Sequence, residues 1–212
     1  PFTENSKLII SKGQTGSTGN LYCGLLEFND MGFLLHFLRS TDLFLDVGAN
    51  VGVYTILASA EINCKTIAIE PIPETFNNLT DNIFVNNVLE KVKALNIGLG
   101  SKKGKLNFTK SFDTVNHVAT ADEKDTIQVE VETLDSILIK DMPSLIKIDV
   151  EGFETEVILG AEKTLNNQKL KAIIIELNGS GFRYGYDENK IHLDLLNKGF
   201  NSFGYNPKTR EL

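Results

Sequence analysis

The residues best suited to chemistry in this chain lie in Phe44-Leu-Asp-Val-Gly-Ala-Asn-Val-Gly-Val-Tyr54. An apolar run closes on Asp46, and Gly48 and Gly52 follow at D-x-G-x-x-x-G spacing. A second apolar run, Thr66-Ile-Ala-Ile-Glu-Pro71, also ends in an acid, Glu70. Glycines at a strand-to-helix turn let a ligand approach the backbone, because no Cβ stands in the way. A carboxylate closing the next strand suits the paired hydroxyls of a ribose. The two segments together describe a nucleoside site.

The turn also bears on which nucleoside. A dinucleotide site uses G-x-G-x-x-G, with the pyrophosphate on a helix N-terminus. Here Asp46 stands where the first of those glycines would be. An anionic side chain there repels a pyrophosphate but suits an ammonium or a sulfonium, and S-adenosylmethionine carries both beside its adenosine. On this reading Gly48, Ala49, Asn50 and Gly52 wrap the methionine part, and Asp46 holds its ammonium directly or through water. Glu70 takes the ribose hydroxyls and Pro71 directs the chain away. Asn96 and Gly98 border the adenine by analogy of strand position. Asn50 serves the ligand or caps the following helix, and Tyr54 is a cofactor contact or a core residue.

A third segment carries further acids. Leu145-Ile-Lys-Ile-Asp-Val-Glu-Gly-Phe-Glu154 is another apolar run ending in a carboxylate, preceded by Glu132-Thr-Leu-Asp135. In order and spacing these segments resemble the paired signatures of the FkbM-type methyltransferases, and the resemblance spans about residues 25 to 205. It implies a class I, Rossmann-like α/β fold, S-adenosylmethionine as cofactor, and methylation of oxygen atoms on sugars and polyketides. The acceptor would then be a hydroxyl on a small molecule or glycan.

Methyl transfer is an in-line displacement at carbon, so alignment supplies much of the rate. A hydroxyl nucleophile also needs a base, such as a carboxylate of raised pKa or a His. Asp149 is the first candidate, followed by Glu151 and Glu154; Glu176 ends the next apolar run. Glu151 and Glu154 also suit a helix N-terminus, where they would complement the macrodipole. No metal is needed for this scheme, although Asp149, Glu176 and Asn178 are oxygen ligands of the kind Mg²⁺ accepts. Glu27 reaches the cofactor mouth or is an exposed charge at a helix entry. Asn116 and His117 touch substrate or belong to a solvated loop.

The elements that must position these residues read as alternating strands and helices. Strands are expected at 43–47, 66–70, 92–97, 145–149 and 172–177, and helices near 52–60, 73–86, 154–166 and 187–198. This alternation implies a mostly parallel sheet with helices on both faces. Period-two patterning at 105–109 and 127–131 adds an inserted antiparallel pair around a polar connection. Residues 1–40 read as a hairpin or irregular lid followed by a helix capped by Asn29 or Asp30. Residues 41–212 read as the cofactor-binding part, in one compact domain. Phe200 to Tyr205 suits an antiparallel edge strand, with a turn at Asn206-Pro207.

Composition narrows the alternatives. The 212 residues carry a formal net charge of −7 and no basic block, so a nucleic-acid partner is not expected. No apolar run reaches transmembrane length and no signal peptide is visible, which makes the cytoplasm the default. Cys23 and Cys64 read as buried reduced thiols, and the three histidines show no metal-binding spacing. Two rival functions are a nicotinamide oxidoreductase, disfavoured by Asp46, and a non-catalytic nucleoside-binding module, disfavoured by the acids at Asp149 and Glu176.

Overall fold

The computed structural model of the chain describes residues 2–10, 15–139 and 141–212. Their strands are β1 Leu43–Val47, β2 Lys65–Ile69, β3 Val92–Leu95, β4 Gly98–Leu99, β5 Gly104–Thr109, β6 Thr126–Glu132, β7 Leu145–Ile148 and β8 Ala172–Ile175. The helices are α1 Thr15–Cys23, α2 Phe28–Phe37, α3 Val53–Ile56, α4 Pro73–Val85, α5 Leu134–Ile137, α6 Glu154–Leu159, α7 Glu162–Leu165 and α8 Glu188–Asn197.

Five strands pair in parallel in the order β3-β2-β1-β7-β8. Both faces of the centre are covered, which is why β1 and β7 read as nearly unbroken apolar runs. Leu45, Val47, Ile146 and Ile148 pack with Leu134, Val157 and Ile191 on one face. Phe44 and Leu145 pack with Met31, Leu34 and Leu57 on the other. The expected layering is thus observed. Pro73 and Glu74 open α4, where Pro lacks only an N–H that has no helical partner. Leu79 and Ile83 bury its inner stripe. The inserted pair is present as β5 against β6, with β4 added to the far edge of β6.

Several elements depart from expectation. Thr15–Cys23 forms a helix where a hairpin or an irregular lid was expected. Its composition favours turns, so propensity does not explain it. The helix lies against the chain that follows, with Gly19 so close to Leu26 that a Cβ would meet Leu26 Cδ2 at 2.6 Å. Asn20 accepts the Leu26 N–H at 3.0 Å, and Gly24 ends the helix in a left-handed conformation. The next helix begins at Phe28 with Glu27 at its N-cap, which leaves Asp30 in the first turn rather than at the cap. Helix α3 continues into a π-helical turn at Leu57–Glu61, and the helix expected over 154–166 breaks at Gly160 between α6 and α7. A Cβ at Gly160 would sit 2.2 Å from the Gly100 carbonyl oxygen, so the approach of the β4 loop sets that break.

Residues 200–205 add no strand to the sheet. The tail is held by side chains instead. Tyr205 hydrogen-bonds His36 at 2.7 Å and meets Phe33 edge-on, and Pro207 lies against Gly32. Cys64 is buried as expected, whereas Cys23 is exposed. Among the described residues no helix is long and apolar enough to cross a membrane.

Gly48 has a φ of +78°, and a Cβ there would lie 1.8 Å from the Asp149 carbonyl oxygen. The glycine is therefore required by the neighbouring strand end, whatever binds above it. Gly48→Ala is expected to lower stability by at least about 1–3 kcal/mol, the usual cost of a non-glycine residue forced into this region. The midpoint of urea unfolding measures it, and an unchanged midpoint would show that the turn relaxes freely.

Candidate functional site

Strands β1 and β7 are neighbours, but the chain leaves them in opposite directions, to β2 on one side and β8 on the other. An open α/β sheet has its crevice at such a reversal, beyond the carboxyl ends of the strands. Two adjoining cavities occupy this place and share Gly48, Asn50, Thr114, Asp149 and Glu151 in their walls. The smaller, about 60 Å³, runs past Glu70 and Pro71 toward Gly98 and Phe108 of the small sheet. The larger, about 280 Å³, runs past Tyr54 and Lys147 toward Glu27 and Glu176.

The Gly48 turn is fixed by backbone bonds to β2. The N–H groups of Gly48 and Ala49 both donate to the Ile69 carbonyl, at 3.0 and 2.9 Å. Asn50 follows with φ of 51°, its side-chain oxygen accepting the Val51 N–H at 2.7 Å. Asn50 thus stabilises its own turn while lining both cavities. Its N–H donates to Glu70 Oε2 at 3.0 Å, and the Ile72 N–H donates to Oε1 at 2.9 Å. Burial pushes the Glu70 carboxyl up to about 7 despite those two donors. Each Glu70 oxygen keeps further acceptor capacity. Asn96 lines neither of these two cavities; its amide holds the Glu70 and Pro71 carbonyls at 2.8 and 3.0 Å.

Asp46 and Gly52 sit behind the cleft rather than in its wall. Thr55 Oγ1 donates to Asp46 Oδ2 at 2.6 Å, which ties β1 to α3, while Oδ1 is buried without a hydrogen-bond partner. Burial raises the Asp46 pKa, and the nearby Lys147 ammonium partly opposes it. Gly52 is left-handed, and a Cβ there would strike Leu79 Cδ1 at 2.5 Å. Packing against α4 therefore accounts for this glycine.

On the other side of the reversal, Asp149 Oδ2 lies 2.8 Å from Lys147 Nζ. The lysine is almost wholly buried, directly beside Asp46 in the strand register, and its ammonium stands 4.8 Å from the centre of the Tyr54 ring. Tyr54 in turn donates its hydroxyl to Glu27. Burial pulls the Lys147 pKa down, but Asp149 and Asp46 outweigh it and hold the ammonium above its ordinary value. Glu151 has φ of 54°, and the Arg183 guanidinium donates to its carbonyl at 2.9 Å. Burial, with Asp149 and Glu176 close by, pushes the Glu151 carboxyl up to about 7. Burial and the nearby Asp149 carboxylate raise Glu176 as well.

Other candidates have local duties. Glu154 is buried and accepts the N–H groups of Val150 and Gly152, so it closes the turn before α6. His117 is buried in its own loop, its ring nitrogens bonded to the Val115 carbonyl and to Glu123. Asn116 does line the smaller cavity. Asn178 donates to Glu176 and accepts from Ser180, which closes a local turn. Among the described residues no group of three or more His, Cys, Asp and Glu side chains is arranged to hold a metal ion.

Lys147 is the residue that sequence reasoning passed over. A lysine in an otherwise apolar strand, two residues before an acid on the same face, was the available signal.

The methyltransferase FkbM domain family model matches residues 46–206. The chain belongs to this family. Its cofactor is S-adenosylmethionine. Hexuronic acid methyltransferase AglP of Haloferax volcanii is 29% identical over 148 residues, covering 68% of this chain and 59% of AglP. Methyltransferase sdnD of Sordaria araneosa is 28% identical over 210 residues, covering 82% of this chain and 79% of sdnD. The chain thus spans about three-fifths of AglP and four-fifths of sdnD. Among solved structures, the METTL16 methyltransferase domain superposes with a TM-score of 0.53 at 14% identity, covering 93% of this chain and 66% of that one, and shows the shared fold.

The buried acid at the end of β2 sets a pH dependence. The folded Glu70 carboxyl, at about 7, lies above its unfolded value, so the folded state binds more protons between roughly pH 4.5 and 7. Stability should therefore fall as pH rises through that window, by on the order of 3 kcal/mol from this group. Glu70→Gln should flatten the slope in urea midpoints measured from about pH 4.5 to 8. An equally steep slope in the variant would assign the titration elsewhere.

Proposed function

We propose that this chain transfers a methyl group from S-adenosylmethionine to a hydroxyl oxygen of a small polyhydroxylated acceptor of the sugar type. The observation that carries this reading is the division of charge at the end of β7. Asp149 is occupied by Lys147, while Glu151, two residues further on, lines both cavities as a carboxylate with a pKa near neutrality. The base role favoured for Asp149 on sequence alone therefore passes to Glu151.

The residues present fit the cofactor. Glu70 offers spare carboxylate acceptors to a ribose at the smaller cavity, and the turn from Gly48 to Asn50 lines both cavities. When bound, S-adenosylmethionine supplies an electrophilic methyl on a sulfonium. Glu70 would hold the ribose hydroxyls, and the Gly48–Asn50 backbone would border the methionine part. Glu151 would accept the proton of the attacking hydroxyl as its oxygen bonds to carbon. A carboxylate poised near neutral pH is a stronger base than an ordinary one yet is still substantially ionised. Asp149, held by Lys147, would stay in place as a fixed negative wall. The sugar class is supported by the hexuronic acid acceptor in AglP's name.

Two measurements test this. Calorimetry should show S-adenosylhomocysteine binding and no comparable binding of NADH; the reverse order would return the site to a dinucleotide. Using methyl-labelled cofactor and a panel of glycosides, Glu151→Gln should lower turnover by about 10²–10⁴ with cofactor affinity little changed. Near-normal turnover would remove Glu151 from proton transfer.

A further inference from the structure

The cofactor's methionine end brings an ammonium, and the residue first expected to hold it does not reach the cleft. Asp46 lies behind the wall, hydrogen-bonded to Thr55 and close to the Lys147 ammonium. The larger cavity, which the Gly48–Asn50 turn lines, carries Glu27, Asp149, Glu151 and Glu176 against one cation, Lys147, among the described residues. Asp149 already has that cation at 2.8 Å. Glu151 and Glu176 follow β7 and β8, and Glu176 takes the Asn178 amide at 3.1 Å. Glu27 comes from a different part of the chain, the connection between α1 and α2, which closes the cavity with Leu26. It also lies outside residues 46–206, the part that the family model matches.

Glu27 is not spent on its own helix. It stands at the N-cap of α2, where a short polar side chain normally accepts an N–H of the first turn, but it makes no capping bond. Its Oε2 instead accepts the hydroxyl of Tyr54, which follows the Gly48 turn in α3. Its Oε1 takes no hydrogen bond among the described residues.

We infer that Glu27 holds the ammonium of the cofactor's methionine end, so that the connection between α1 and α2 completes the cofactor site. This rests on reading the two cavities as the site of S-adenosylmethionine. A carboxylate oriented by one hydroxyl and open at its other oxygen suits a charge-assisted hydrogen bond from an ammonium, which is stronger than a neutral one. A second cation also relieves repulsion among acids that otherwise share one lysine. Glu27 binds the ligand in this scheme and takes no part in proton transfer.

The test is calorimetry near neutral pH with two ligands, S-adenosylhomocysteine and its desamino analogue, which has a hydrogen in place of the ammonium. The wild type should bind S-adenosylhomocysteine about tenfold or more tightly than the analogue, as a hydrogen bond between charged groups implies. Glu27 is solvent-exposed, and Glu27→Gln keeps an oxygen for the Tyr54 hydroxyl, so this variant should fold as the wild type does. It should weaken S-adenosylhomocysteine by about tenfold and leave the analogue unchanged. A merely structural role for Glu27 would move both ligands together. Equal affinity of the wild type for the two ligands overturns the inference, as does a Glu27→Gln variant that keeps the full preference or weakens both ligands alike. Failure of the wild type to bind S-adenosylhomocysteine at all would instead overturn the methyltransferase reading beneath it.

Discussion

The structure turns on the close approach of the Gly48 turn to the end of β7. No side chain fits between Gly48 and the Asp149 carbonyl, so β1 and β7 end side by side and their connections diverge from one point. The turn leans the other way as well, with two N–H groups on the Ile69 carbonyl and a third on the Glu70 carboxylate. Three strand ends are thereby fixed by the turn's backbone and the Glu70 carboxylate it donates to. The cleft inherits its position from that constraint rather than from the side chains that line it.

Onto this rigid edge the sequence places more negative charge than a buried surface normally tolerates. Asp46, Glu70, Asp149, Glu151 and Glu176 all come from strand ends or the residues just beyond them. Four of them show how that charge is accommodated. Asp46 takes a hydroxyl from Thr55, Glu70 takes two backbone N–H groups, Asp149 takes an ammonium, and Glu151 relieves its charge by a raised pKa. Raised carboxyl pKa values from burial and like charges are characteristic of functional sites, where the group must exchange a proton near neutrality. That chemistry, together with the family, makes an enzyme a better account than a passive nucleoside-binding module.

Much of the scaffold was legible in the sequence because long buried strands write themselves as apolar runs, and the acids that close them mark the carboxyl edge of the sheet. Asp46, Glu70, Asp149 and Glu176 stand out for that reason. What was not legible depended on packing between distant segments. Helix α1 exists through its contact with Leu26, against its own composition, and the tail follows α2 rather than the sheet because Tyr205 finds His36 and Phe33. Side-chain partners were equally hidden. Nothing in the spacing tells that Asp46 turns to Thr55, that His117 is spent on Glu123, or that Lys147 occupies Asp149. Those three pairings occupy Asp46, His117 and Asp149 with partners inside the protein, which is why the proposed roles rest on Glu70 and Glu151.

A crystal structure of the chain with S-adenosylhomocysteine tests the account most directly. It should show the ribose hydroxyls on the Glu70 carboxylate in the smaller cavity, the sulfur facing Asp149 and Glu151, and the Lys147–Asp149 pair intact. A nucleoside bound away from Glu70, or a sulfur turned away from the larger cavity, would contradict it.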